Sequence, residues 1–222
     1  MDPVSHGALA YLLYVGYAFI SGQRLPLGWT LVPLAIGSQL PDLIDKPLAY
    51  WGVLVYGRSL AHSVFTMTVI CASVWWLTRS PRADRADRAD RADRADRADR
   101  ADRADRTDQA THTRTRVRRI VTAIRQPLPA ALTIGYLAHL IGDSWALIAR
   151  GDWLSARFLL YPVYRIPASP SDDIAPWIRL LELYREPAAS MQLELVAGAA
   201  IVFFALRIRA YRRGRWPHQQ AG

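Results

Sequence analysis

The chain has 222 residues, 51% of them hydrophobic, with 8 Trp and 10 Tyr and a formal net charge of +9. Its mean hydropathy is only +0.02, because one highly charged insert is averaged with several apolar segments. The single cysteine, Cys71, excludes an intrachain disulfide framework and reads as a small buried apolar residue.

In a soluble domain such a basic balance points to nucleic acid. Outside the insert, however, this chain is membrane-like, and in a membrane protein basic excess marks cytoplasmic loops. Of the 28 basic residues only Lys46 is a lysine.

The opening Met-Asp-Pro-Val-Ser-His carries no basic n-region, so no cleaved signal peptide is read. Residues 8–22 and 25–40 are short apolar segments, the second holding Pro26 and Pro33. They suit tilted spans, a re-entrant hairpin or shielded core helices, and each choice embeds them in a membrane. Residues 59–78 form the clearest span, long enough at ~1.5 Å per residue for a hydrocarbon core of ~30 Å. Residues 128–149 and 190–206 are two more.

Between the third and fourth segments lies an insert, residues 79–125, with eight copies of Arg-Ala-Asp over 82–105. A period of three drifts around a helix and spreads charge over every face, so no apolar stripe can be buried. The insert reads as an expanded low-complexity linker, disordered or a solvated single helix. The alternative is an arm touching anionic lipid or nucleic acid. Each Asp offsets an Arg, and no aromatic residues are interleaved for base stacking, so no specific nucleic-acid binding is expected. In residues 172–186, Ile174, Trp177, Ile178, Leu181 and Tyr184 recur at helical spacing. They predict an amphipathic helix, at the outer interface or packed on the bundle.

These readings divide the chain into segments one to three (1–78), a charged cytoplasmic loop (79–127), segments four and five (128–206) and a basic cytoplasmic tail (207–222). The fold class is all-α, a polytopic integral bundle of about five embedded segments in the cell membrane. Residues 79–127 hold 15 Arg and 9 Asp, and Arg207, Arg209, Arg212, Arg213 and Arg215 follow. With Arg24, cytoplasmic placement puts 21 of the 28 basic residues on one side. Residues 150–187 would then be external with five Arg and five acids.

Alternating five spans from that orientation places His6, Asp42, Asp45, His62, His139 and Asp143 on the outer face. Ionisable groups at membrane depth are costly unless a partner or metal satisfies them. His139 and Asp143 are four apart and share a helix face, which suits one ion or a simple structural cap. Asp42 and Asp45 share a face if Pro41 opens a helical turn, with helix N-capping as the plain alternative. His62, four residues after Arg58, lies at the mouth of the third span, and His6 begins the first segment. Three imidazoles and three carboxylates suffice for one ion plus a general base, or two ions sharing a carboxylate. Arg58 is placed to hold an anionic substrate group. His112 and His218 lie in the basic regions and are excluded.

At these residues the chain resembles the YdjM-like family of membrane-bound, metal-dependent hydrolases, also described as LexA-binding and inner-membrane-associated. The resemblance rests on His6, the Gly-Ser-Gln-Leu-Pro-Asp-Leu-Ile-Asp block ending at Asp45, Arg-Ser-Leu-Ala-His-Ser from Arg58 to Ser63, the His-Leu-Ile-Gly-Asp block from His139, and Tyr161-Pro162. It covers residues 1–78 and 128–165. The chain departs from the family pattern at Lys46, at Gly57 and in the wider spacing of Asp42 and Asp45. Its arginine-rich, lysine-poor composition resembles a halophilic archaeal member.

The resemblance implies a metal-dependent hydrolase with a LexA-type partner, and a site opening at headgroup depth points to an ester or phosphoester of a membrane lipid or lipid-linked substrate. His6, Asp42, His62, His139 and Asp143 are the expected ligands of a divalent metal, zinc first and manganese or magnesium next. Asp45 is the expected bridging ligand or general base, and Arg58 the anion clamp. The other readings are a non-catalytic, stress-linked membrane scaffold and, without an internal repeat to support it, a transporter.

Overall fold

The computed structural model describes residues 2–23, 25–78, 127–164, 174–185 and 190–212, in which helices are joined by turns and there is no strand. Helix α1 (Pro3–Ser21) starts where Asp2 accepts the Ser5 amide at 2.8 Å and Pro3 supplies a preset φ. It ends at Gly22, whose left-handed φ of 66° stops the helix. Then follow α2 (Leu31–Tyr50), α3 (Val64–Thr78), α4 (Leu128–Ala149), a 3-10 turn (Ser155–Leu160), α5 (Pro176–Arg185) and α6 (Ser190–Arg212).

Helix α4 is central and packs against α1, α2 and α3, while α6 packs on α1. Where α2 crosses α4, Gly37 and Gly135 face each other's backbones. A methyl group on Gly37 would run into the Leu132 carbonyl, and one on Gly135 into the Leu34 carbonyl. Small residues at such a crossing let backbones approach closely. The apolar core is built from alanine, aliphatic and tyrosine side chains, among them Ala10, Tyr14, Leu34, Ala131 and Ala138.

Side-chain polarity is inverted relative to a water-soluble domain. His6, His62, His139, Asp45, Ser38 and Ser59 are fully buried, while Ile20, Val69, Trp76, Ile201 and Phe204 are exposed. Helix α3 has no buried residue at all. An outward apolar surface of this extent calls for a partner or lipid. Among the described residues, α1 and α4 are the two helices long and apolar enough to cross a membrane. At 15 residues α3 spans ~22 Å, and α6 is long but carries Glu194, Arg207 and Arg209. The structure therefore supports an all-helical membrane fold with two candidate spans, short of the five expected.

Several boundaries are corrected. The third helix begins at Val64 rather than residue 59, because the Ser59, Ala61 and His62 amides donate to the Asp45 carboxylate instead of to helical carbonyls. Pro41 does not open a turn, and the N-capping alternative falls with it. Pro41 and Pro47 lie inside α2, which runs ten residues past the expected end at 40. The first helix starts at Pro3, so His6 lies inside it. The amphipathic helix covers Pro176–Arg185, with Trp177 packed edge-on to Tyr50 at 5.5 Å. Arg24, the insert with its Arg-Ala-Asp repeats and His112, and the tail with Arg213, Arg215 and His218 lie outside the described residues.

Candidate metal centre

The starts of α1 and α3 meet the later halves of α2 and α4, and the six predicted residues gather there. On α4, His139 follows by one turn Gly135, which faces α2. The close crossing brings its Nδ1 to 2.7 Å from the Ser38 carbonyl. A carbonyl only accepts, so Nδ1 carries the proton and Nε2 keeps a lone pair.

His62 is fixed from behind by Asp45. That carboxylate accepts the Ser59 and Ala61 amides, each at 2.8 Å, the His62 amide at 3.2 Å and His62 Nδ1 at 2.9 Å. His62 Nε2 is thereby left facing forward, and it lies 3.2 Å from His139 Nε2. Two neutral rings held this way aim lone pairs at one another, which is repulsive until a proton or cation lies between them.

Carboxylate oxygens surround the pair. Asp42 Oδ1 lies 3.4 Å from His62 Nε2 and 3.7 Å from His139 Nε2, buried and without a hydrogen-bond partner. Asp143 Oδ2 lies 3.5 Å and 3.9 Å from the same two nitrogens. Its Oδ1 is 3.2 Å from His6 Nε2, close enough for an ion pair but without hydrogen-bond alignment, so both His6 ring nitrogens are buried and unbonded. His6 stacks on His139 with ring centroids 4.0 Å apart.

Asp42–His62–His139 and His6–His139–Asp143 are two groups that can hold a metal ion, each with ligand atoms within 4.8 Å of one another. Donors on a tetrahedral zinc ion at ~2.0–2.2 Å would lie ~3.3–3.6 Å apart, and the nitrogen–oxygen pairs around His62 and His139, at 3.4 to 3.9 Å, fall close to that range. Asp45 belongs to neither group. Arg58 pairs through Nε with Asp143 Oδ2 at 3.0 Å, and its guanidinium lies 5.8 Å from the Phe158 ring centre.

Sequence reasoning missed three participants. Lys46 binds Asp42 Oδ2 at 2.5 Å, a contact that its spacing of four from Asp42 made available. Tyr136 donates its hydroxyl to the Ala61 carbonyl and so braces the His62 turn. The Ser38 carbonyl that orients His139 leaves no signal in a sequence.

A helical chain with apolar outer faces and a buried imidazole–carboxylate cluster defines a class: membrane proteins built around a candidate metal centre. The chain belongs to the YdjM inner membrane protein family, which it matches over residues 1–214. That match extends past the blocks at 1–78 and 128–165 to take in the last helix. Neither a curated protein nor a solved structure matches the chain.

Proposed function

We propose that this protein is a membrane-bound, metal-dependent hydrolase that cleaves an ester or phosphoester of a lipid or lipid-linked substrate, with its site at the extracytoplasmic face of a multi-pass bundle. The observation that carries the reading is the meeting of two oriented imidazoles, His62 and His139, Nε2 to Nε2 at 3.2 Å, beside the unbonded Asp42 Oδ1.

Asp42, His62, His139 and Asp143 would hold the ion, and His6 would complete the donor set through Asp143. Asp45 serves as the residue that orients His62, since three amides and the His62 ring already draw on its oxygens. Arg58 would hold an anionic group of the substrate. Two imidazoles with carboxylates suit zinc, with manganese or magnesium as alternatives. When bound, the ion supplies Lewis-acid polarisation of a carbonyl or phosphoryl oxygen.

The rival is a non-catalytic scaffold in which the same groups only join helices, and it draws on the Arg58–Asp143 and Lys46–Asp42 ion pairs. Hydrolysis of a lipid ester and phosphoester panel by detergent-purified protein, stripped of metal and reloaded, separates the two. Metal-restored turnover that His139→Ala abolishes supports the hydrolase. Absence of turnover in the loaded protein, with His139→Ala lowering only thermal stability, supports the scaffold.

A further inference from the structure

The donor set is buried, and the two cations bonded to it are partly exposed. The side chains of His62 and His139 are 0% exposed and that of Asp143 is 3% exposed, whereas Lys46 is 30% and Arg58 48% exposed. Each of these cations is bonded to one carboxylate of the set, Lys46 to Asp42 Oδ2 and Arg58 to Asp143 Oδ2. The most exposed charges of the cluster are thus both positive.

Charge balance points the same way. Asp42 and Asp143 are each matched by a cation, and His62 and His139 would ligate a metal through Nε2 as neutral rings, with Nδ1 directed at Asp45 and Ser38. Of the two positive charges that a divalent ion would add, Asp45, the remaining carboxylate of the six clustered residues, offsets one from behind His62. Uncompensated positive charge in a low-dielectric site is costly until an anion joins it. A neutral carboxylic ester brings no such charge, and a phosphate group does. Lys46 has ammonium protons beyond the one directed at Asp42, and the Arg58 fork has terminal amino groups beyond Nε.

We propose that Lys46 and Arg58 form a two-cation clamp for a phosphate group beside the donor set, so that the substrate is a phosphoester rather than a carboxylic ester. This rests on the metal-dependent reading above. A lipid headgroup and a soluble phosphate compound both supply the chemistry.

The test titrates inorganic phosphate, and separately phosphatidate in mixed micelles, into the full-length protein in detergent loaded with zinc, measuring metal content in every sample. Lys46→Met should weaken binding of phosphate roughly tenfold, the size of one charge-assisted hydrogen bond, with metal content unchanged. Lys46→Arg should restore it. Tighter binding of phosphatidate than of inorganic phosphate identifies the headgroup as the source, and the reverse order identifies a soluble phosphoester. Wild-type protein that takes up no metal sinks the metal-dependent reading and this clamp with it. Loaded protein that ignores phosphate, or binds it regardless of residue 46, overturns the clamp alone. So does a Lys46→Met protein that loses its metal, which would assign Lys46 to holding Asp42.

Discussion

His62 and His139 stand 77 residues apart in the chain and meet Nε2 to Nε2 at 3.2 Å. Neither ring is free to turn away. Asp45 holds one by Nδ1, and the Ser38 carbonyl holds the other. Metal sites commonly fix their imidazoles by such outer contacts, which select the tautomer and aim the lone pair.

Asp45→Asn tests the anchor of His62. The amide that replaces one oxygen cannot accept from backbone N–H groups, so a buried donor goes unsatisfied. Unfolding free energy should fall by about 2–4 kcal/mol and zinc affinity by roughly 10–100-fold. Thermal melts in detergent and competition with a chelating dye measure both.

Gly135→Ala tests the helix crossing. The added methyl meets the Leu34 carbonyl, and overpacking of this kind costs about 1–3 kcal/mol. Because the same crossing carries His139 to Ser38, metal content should fall too. Gly16→Ala is the control: its Cβ would meet nothing within 4 Å, so it should leave stability unchanged or raise it by up to ~1 kcal/mol.

Tyr136→Phe removes one buried hydrogen bond and no ligand. The Ala61 carbonyl loses its partner, and the melt should drop by the equivalent of about 1–2 kcal/mol. Zinc stoichiometry should stay as in the unmutated protein, which metal analysis after gel filtration would verify.

Metal removal should destabilise the fold. An ion bound only by the native state at 1,000 times its dissociation constant stabilises it by about 4 kcal/mol, so a chelator should lower the melting temperature. The His62→Ala protein, with the pair broken, should melt at one temperature with or without chelator.

The parts legible in the sequence were those set by short spacing. His139 and Asp143 share a face because a helix brings residues four apart together, and both do flank the site. Apolar runs located each of the main helices. What stayed hidden depended on contacts across the fold. Asp45 looked like a ligand, yet its partners are amides 14 to 17 residues away, in a turn that apolar composition disguised as the start of a span. Pro41 read as the opening of a helical turn, whereas α2, packed on α4, runs through it and through Pro47. Lys46 stands out in the sequence as the lone lysine and as a departure from the family pattern, and neither feature shows its bond to Asp42.

X-ray absorption at the zinc edge of the purified, detergent-solubilised protein tests the central claim most directly. One zinc per chain is predicted, with two imidazole nitrogens and carboxylate oxygen at ~2.0–2.2 Å, and the imidazole scattering should halve in His139→Ala. A spectrum with oxygen neighbours alone, or one that His62→Ala and His139→Ala leave unchanged, would contradict it.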